Sequence, residues 1–170
     1  MNLQQGVLPF KLDVSTDELA NVTAHAGLPL VVEALRAVIS KNFYRRLRKA
    51  LGYKKRPTVR RHVESLVLLF VSGGDHVDDI DLLRADTGLS RLLGFTPSSA
   101  TQLKDFLYRF HQASDGRPLS KKDDAELSHK GEATIREEGP GLRLMTNNTI
   151  EVVRQVQRDR QCLRATLDVD

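Results

Sequence analysis

The sequence predicts a mainly α-helical protein, in which a helical bundle is followed by a linker and by the first helix and strand of a truncated α/β domain. Apolar residues recur at helical spacing in several stretches before residue 111. Residues 112–148 lose that spacing and are rich in glycine, proline and mixed charge. The last eight residues, LRATLDVD, alternate apolar and polar side chains, as a strand requires. We therefore predict a helical domain at 1–111, a polar linker or insertion at 112–148, and the start of the α/β domain at 149–170.

The first predicted helices follow a weakly patterned arm, residues 1–27. A basic segment then continues as helix and is broken near Gly52 and Pro57. Thr58 is the expected N-cap of the next helix, and Gly73 is expected to end it. Because this helix is apolar on nearly all sides, we expect it to lie at the centre of the bundle.

Two short helices follow in an acidic part of the chain. Asp75 is expected to cap the first, which Gly88 ends, and LSRLLGF forms the second, which Gly94 ends. The acids of this segment are Asp75, Asp78, Asp79 and Asp81. Helix capping and solubility explain them better than metal binding does. The five histidines are scattered along the chain, so we expect no metal cluster among them.

The clearest amphipathic helix lies in TPSSATQLKDFLYRF, residues 96–110, where Thr96 or Ser98 can act as the cap. Its apolar residues repeat at helical spacing and are Leu103, Phe106, Leu107 and Phe110. We expect one buried stripe in which both phenylalanines belong to the core. After the linker, Ile150 restores helical spacing up to about Gln161, and the final strand follows.

The composition is that of a soluble protein without disulfides. Of the 170 residues, 40% are hydrophobic and 28% are charged. The longest apolar run is far shorter than the roughly 20 residues of a membrane helix, and the N-terminus lacks the pattern of a secretory signal. The single cysteine, Cys162, excludes an internal disulfide and a cysteine-based zinc site. We therefore expect a bacterial-type cytoplasmic protein with no membrane partner.

Charge is strongly segregated along the chain. Residues 41–61, KNFYRRLRKALGYKKRPTVRR, hold ten basic residues and no acid, whereas residues 73–86 reverse the sign. Such segregation favours a face that binds a polyanion over a merely solvated surface, and double-stranded DNA is the expected partner. The candidate phosphate contacts are Arg45, Arg46, Arg48, Lys49, Lys54, Lys55, Arg56, Arg60 and Arg61.

Ordered motifs in residues 63–111 resemble a known family. The stretch reads VESLVLLFVSGGDHVDDIDLLRADTGLSRLLGFTPSSATQLKDFLYRFH. It contains an apolar helix, GGD, an acidic helix with D-x-LR-x-D, and a proline-serine turn before FL-x-R-F. This order is similar to the N-terminal region of bacterial insertion-sequence transposases of the DDE domain group 1 type. The terminal TLDVD resembles the first catalytic strand of that family. The resemblance covers residues 6–111 and 148–170.

The resemblance implies an RNase H-like catalytic domain in which three acids hold two divalent ions, Mg²⁺ or Mn²⁺. It implies that the first acid is Asp170, with Asp168 as the alternate, and that the other two lie downstream. The chain would then be the front part of a longer protein that binds the terminal inverted repeats of a transposable element for DNA transposition and recombination. By itself it would be catalytically incomplete and bind no metal, and a homodimer is compatible with this role.

A second class of function stays open at this point. A non-catalytic helical adaptor or regulator would bind another protein through the acidic helix and would leave DNA alone. Salt-dependent binding to DNA would separate the two classes, because neutralising phosphates releases counterions.

Overall fold

The computed structural model describes residues 22–112, 115–120 and 137–159, and in these ranges the chain is mainly helical, as predicted. The helices are α1 (Leu28–Val38), α2 (Lys41–Ala50), α3 (Arg56–Val71), α4 (Ile80–Ala85), α5 (Thr87–Leu93), α6 (Ala100–Tyr108) and α7 (Pro140–Asp159), with a 3₁₀ turn at Val77–Asp79. The extended pairings in these ranges are isolated bridges, His111–Glu138 and Gln112–Pro118. The predicted final strand, on which the expected RNase H-like domain rests, lies outside the described residues.

The described residues divide into two compact units. The first unit holds residues 22–37 and 55–107, and the second holds residues 38–54, 108–112, 115–120 and 137–159. In neither unit is a described helix long and apolar enough to cross a bilayer.

The core of the first unit forms around the C-terminal half of α3. Leu68 and Leu69 of this helix are fully buried, and apolar residues of α1, α4, α5 and α6 pack with them. These residues are Leu28, Val32, Ile80, Leu83, Leu89, Leu93, Ala100 and Leu103. Full burial of a leucine or isoleucine side chain contributes about 1.5–3 kcal/mol. α3 is therefore central to this core, as its composition predicts.

α3 begins two residues before the predicted cap and ends where predicted. Lys55 is the extended residue before the helix and Pro57 lies in its first turn, so the prediction of Thr58 as N-cap was wrong. Proline suits this position because the first-turn N–H groups have no partner inside the helix. At the other end, the Gly73 N–H donates to the Phe70 carbonyl at 3.1 Å. Gly73 has φ +85°, which glycine adopts without the steric cost of a Cβ atom.

Two predicted boundaries around α4 were wrong. His76 is the N-cap of the 3₁₀ turn before α4, and its N–H donates to the Asp79 carboxylate at 2.9 Å, so the prediction of Asp75 as the cap was wrong. Gly88 does not end α4 but lies buried in the first turn of α5. Asp86 separates the two helices, because its carboxylate accepts a hydrogen bond from the Leu89 N–H at 2.8 Å and caps α5.

α6 is capped by Ser99 and not by the predicted Thr96 or Ser98. The Ser99 hydroxyl accepts a hydrogen bond from the Gln102 N–H at 3.3 Å. In return, the Gln102 side-chain oxygen accepts one from the Ser99 N–H at 3.1 Å. This reciprocal pair is a capping box, which satisfies two N–H groups that the helix itself leaves without partners.

A buried polar network links α3 to the segment before α6. His62 Nδ1 lies 2.8 Å from the Ser98 hydroxyl, and the Ser98 N–H donates to the Ser65 hydroxyl at 2.9 Å. All three residues are buried, and the His62 ring lies 5.1 Å from the Phe106 ring between centroids. Burial, with a smaller contribution from the Arg61 charge, lowers the pKa of His62 to about 4.

In the second unit, α2 packs on α7. α7 begins at Pro140, ten residues before the predicted start at Ile150, so part of the predicted linker is helical. The pattern missed this start because Gly139 and Gly141 flank it, and glycine usually marks a break. Here Gly141 permits close approach, since a Cβ atom at this position would lie 2.4 Å from Leu51 Cδ2.

The substitution Phe106→Ala should destabilise the fold by about 3–5 kcal/mol, because Phe106 is 1% exposed and its loss leaves a cavity. Leu107 is 39% exposed, so the prediction that it shares the buried stripe was wrong. Leu107→Ala should therefore cost about 1 kcal/mol and serves as the control. Urea unfolding followed by far-UV circular dichroism measures both changes. Equal losses for the two variants would contradict the burial of the Phe106 ring.

The free energy of unfolding should fall as the pH decreases from about 6.5 to 4. The His62 pKa is 6.5 when the ring is solvated and about 4 in the fold, so the unfolded chain binds more protons in this interval. The contribution, on the order of 3 kcal/mol, is fully present above pH 6.5 and is lost as the pH approaches 4. Urea unfolding across this range measures it, and His62→Gln should flatten the profile. The prediction is contradicted if the unfolding free energy of the wild-type chain stays constant between pH 6.5 and 4.

Candidate nucleic-acid interface

Positive charge is concentrated in the second unit. Its described residues include eleven Lys and Arg against five Asp and Glu, whereas those of the first unit hold eight of each. The described residues of the first unit are therefore neutral as a group, and those of the second unit are cationic. A polyanion is attracted to the second of these.

α2 presents much of this charge on one side. Phe43, Tyr44 and Leu47 form its buried side and are each at most 5% exposed. The opposite side carries five basic side chains and no acid over about 160° of the helix circumference. These residues are Lys41, Arg45, Arg46, Arg48 and Lys49, which we call the basic face of α2.

Local sequence sets the two ends of α2 and hence the extent of the basic face. At the N-terminus, the Ser40 hydroxyl accepts a hydrogen bond from the Phe43 N–H at 3.1 Å. At the C-terminus, the Gly52 N–H donates to the Lys49 carbonyl at 3.2 Å. The helix therefore breaks at Gly52, as predicted, and Lys54 follows in an exposed loop.

The basic face is not neutralised by carboxylates in the described part of the chain. Arg45 donates to the Asn42 side-chain oxygen at 2.7 Å, and Arg48 donates to the Lys54 carbonyl at 2.9 Å. Both acceptors are uncharged. Among the described residues, no ion pair within 4 Å involves any of the five basic side chains. Four of the five side chains are exposed, and Arg48 is half-buried.

A polar groove of about 370 Å³ lies between α2 and α7. Its polar lining includes Asn42, Arg46, Asn147, Asn148, Glu151 and Arg154. Arg154 was not among the predicted contacts, because it lies about 100 residues beyond the basic segment and stands outside any run of charge. The only signal that could have found it is its position on an amphipathic helix that packs on α2.

The tyrosines of the basic segment are engaged within the second unit. Tyr44 is buried. The Arg109 guanidinium lies 4.8 Å from the centroid of the Tyr53 ring and donates to the Leu51 carbonyl at 3.3 Å. This surface is therefore suited to contacts with phosphates more than to stacking on bases.

Four of the nine predicted phosphate contacts belong to the first unit. They are Lys55, Arg56, Arg60 and Arg61. Arg60 Nε lies 3.0 Å from Oε1 of Glu64, and Arg36 Nε donates to the same oxygen at 2.8 Å. The Glu64 side chain is 1% exposed, and its hydrogen bond raises the pKa of Arg36. Arg60 therefore balances a buried charge, whereas Lys55 and Arg61 are exposed.

The acidic segment has structural contacts of its own. The Asp78 carboxylate accepts two hydrogen bonds from Lys104 Nζ, at 2.7 and 2.8 Å, and the Asp79 carboxylate accepts one from the His76 N–H. Over the described ranges, no group of three His, Cys, Asp or Glu side chains is placed to hold a metal ion. The predicted catalytic acids, Asp168 and Asp170, lie outside the described residues.

Comparisons of the chain with protein-family models, curated proteins and solved structures found no match. The resemblance to insertion-sequence transposases therefore rests on the motifs quoted above.

The two partners of Glu64 should contribute unequally to stability. Arg36→Gln should cost about 3 kcal/mol, because it leaves a buried carboxylate with one partner that is half exposed. Arg60→Gln, which removes that more exposed partner, should cost about 1 kcal/mol. Urea unfolding of the two variants measures the difference. If neither substitution lowers the unfolding free energy, these arginines do not stabilise the buried Glu64 carboxylate.

Proposed function

We propose that the chain binds double-stranded DNA through the basic face of α2, whose side chains contact backbone phosphates. The observation that carries this proposal is a ten-residue helix with five basic side chains on one side, none of them paired with a carboxylate in the described part of the chain. Such a face displaces counterions from DNA, which supplies most of the non-specific affinity. Phosphate contacts of this kind position a protein on the duplex without reading its sequence.

The spacing of the basic side chains supports contact with an extended polyanion. Lys41, Arg45 and Lys49 are exposed and recur every four residues, along about 12 Å of helix. A 12 Å length of duplex carries about seven phosphate charges. Arg46 and Arg48 flank this line, so several phosphates are within reach of one helix face.

The DNA that we propose is the terminal inverted repeat of an insertion sequence. The motifs of residues 63–111, which resemble the DDE domain group 1 transposases, support this finer assignment. In that setting, the basic face would hold the end of the element during transposition. Asp170, or alternatively Asp168, would then be the first of the acids that hold Mg²⁺ or Mn²⁺.

The adaptor function has less support. Its contact surface would be the acidic segment, but Asp78 is paired with Lys104 and Asp79 accepts a hydrogen bond from the His76 N–H. Carboxylates engaged in this way are less available to a protein partner. The densest group of basic side chains without an ion pair in the described chain lies in α2 instead.

Neutralising two basic residues of α2 should weaken the salt dependence of DNA binding. If five phosphates are contacted, the logarithm of the affinity should fall with the logarithm of the salt concentration at a slope of roughly −4.5. The double substitution Arg45→Gln and Lys49→Gln should change this slope to roughly −2.7, because two phosphate contacts are lost. Fluorescence anisotropy with a 30-base-pair duplex, at salt concentrations from 50 to 200 mM, measures it.

A control with the same change in net charge distinguishes a local contact from a general charge effect. Arg91 and Lys104 are basic residues of the neutral first unit, and Lys104 makes only an exposed ion pair. The double substitution Arg91→Gln and Lys104→Gln should leave the slope unchanged. If both double variants shift the slope equally, or if the wild-type chain does not bind the duplex, the proposal is wrong.

A further inference from the structure

We infer that α7 is a second DNA-contacting element, whose exposed polar side reads base edges in the major groove. This inference rests on the proposed binding of DNA by α2. The polar side of α7 consists of Arg143, Asn147, Glu151, Arg154 and Arg158. At 3.6 residues per turn, these five positions fall within about 80° of the helix circumference. All five residues are exposed.

The C-terminal half of α7 has the shape that major-groove recognition needs. Between Glu151 and Arg158, every residue except Val152 is exposed. A major groove about 12 Å wide admits an α-helix. The distance from Asn147 to Arg154 along the helix is about 10 Å, which matches about three base pairs.

The chemistry of the polar side differs from that of the basic face of α2. Asn147 offers both the amide donor and the carbonyl acceptor that pair with adenine, and the Arg154 guanidinium fits the two acceptors of guanine. Glu151, which lies between them in the sequence, can accept a hydrogen bond from cytosine. A carboxylate repels a phosphate. This mixture of groups therefore favours contact with base edges over contact with the DNA backbone.

The groove between α2 and α7 joins the two surfaces. Arg46 of the basic face and Arg154 of the polar side line the same cavity. Neither forms an ion pair with Glu151 within 4 Å, although all three side chains border the groove. A duplex that contacts the basic face of α2 at this groove can therefore also contact α7. Charge complementarity thus extends from one helix to the other.

The test uses the full chain and a library of 30-base-pair duplexes with a randomised centre, selected by binding and sequenced. The wild-type chain should enrich a short motif. The double substitution Asn147→Ala and Arg154→Lys keeps the net charge but removes the amide and the bidentate guanidinium. It should bind the enriched duplex about tenfold or more weakly than the wild type. Its affinity for a scrambled duplex should stay within about twofold, because phosphate contacts depend on charge.

Thr149→Ala, on the opposite side of α7, is the matched control and should bind both duplexes as the wild type does. Thermal melting verifies that each variant folds. If the double variant melts early, the single substitutions replace it, and each should lose about fivefold on the enriched duplex.

Three outcomes would overturn the inference. The double variant could enrich the same motif as the wild type, or the wild type could bind duplexes in a salt-dependent manner without enriching any motif. Either result leaves binding by α2 intact and removes base reading by α7. Tighter binding to single-stranded RNA of the enriched sequence would assign the polar side to a different nucleic acid. A wild-type chain that binds no duplex would instead remove the proposed function itself.

Discussion

The buried carboxylate of Glu64 is the constraint on which the arrangement of the first unit depends. A charge removed from water costs several kcal/mol unless it is paired and hydrogen-bonded. Arg36 supplies a two-point contact, with Nε at 2.8 Å from one carboxylate oxygen and Nη2 at 3.1 Å from the other. α1 must therefore dock on α3 in one register. The same guanidinium lies 6.0 Å from the centroid of the Phe95 ring. This cation–π contact links the segment after α5 to Arg36.

This ion-pair cluster also shapes the distribution of charge in the molecule. Arg60 is part of the basic run of the sequence, but it shares the Glu64 carboxylate with Arg36. Together, Glu64 and the acids of the α4 segment supply most of the eight negative charges that balance eight positive ones in the described part of the first unit. In the described part of the second unit Arg117 pairs with Asp115, but the basic face of α2 makes no ion pair, so its side chains stay available to an external anion. A long-range field that attracts DNA would originate there.

In our proposals, the two helices of the second unit have different roles in DNA recognition. α2 is short, strongly basic and almost without other polar groups, which suits contact with phosphates. α7 is twice as long and carries amide, carboxylate and guanidinium groups on one exposed side, which suits hydrogen bonds to bases. Gly141 allows the start of α7 to approach Leu51 closely, and this packing holds the two surfaces in one body.

The sequence by itself determined the helical class, the breaks at Gly52 and Gly73, the burial of Phe106 and Phe110, and the basic character of α2. These features depend on residues within a few positions of one another, through helical periodicity and the conformational freedom of glycine. Only the tertiary structure decided that Arg36 of α1 binds Glu64, that Ser98 bonds His62, and that Arg154 lines the same groove as Arg46. Each of these outcomes depends on a contact between segments far apart in the chain. Local patterns cannot specify such a contact, because several nearby residues have the same chemistry and only packing selects among them.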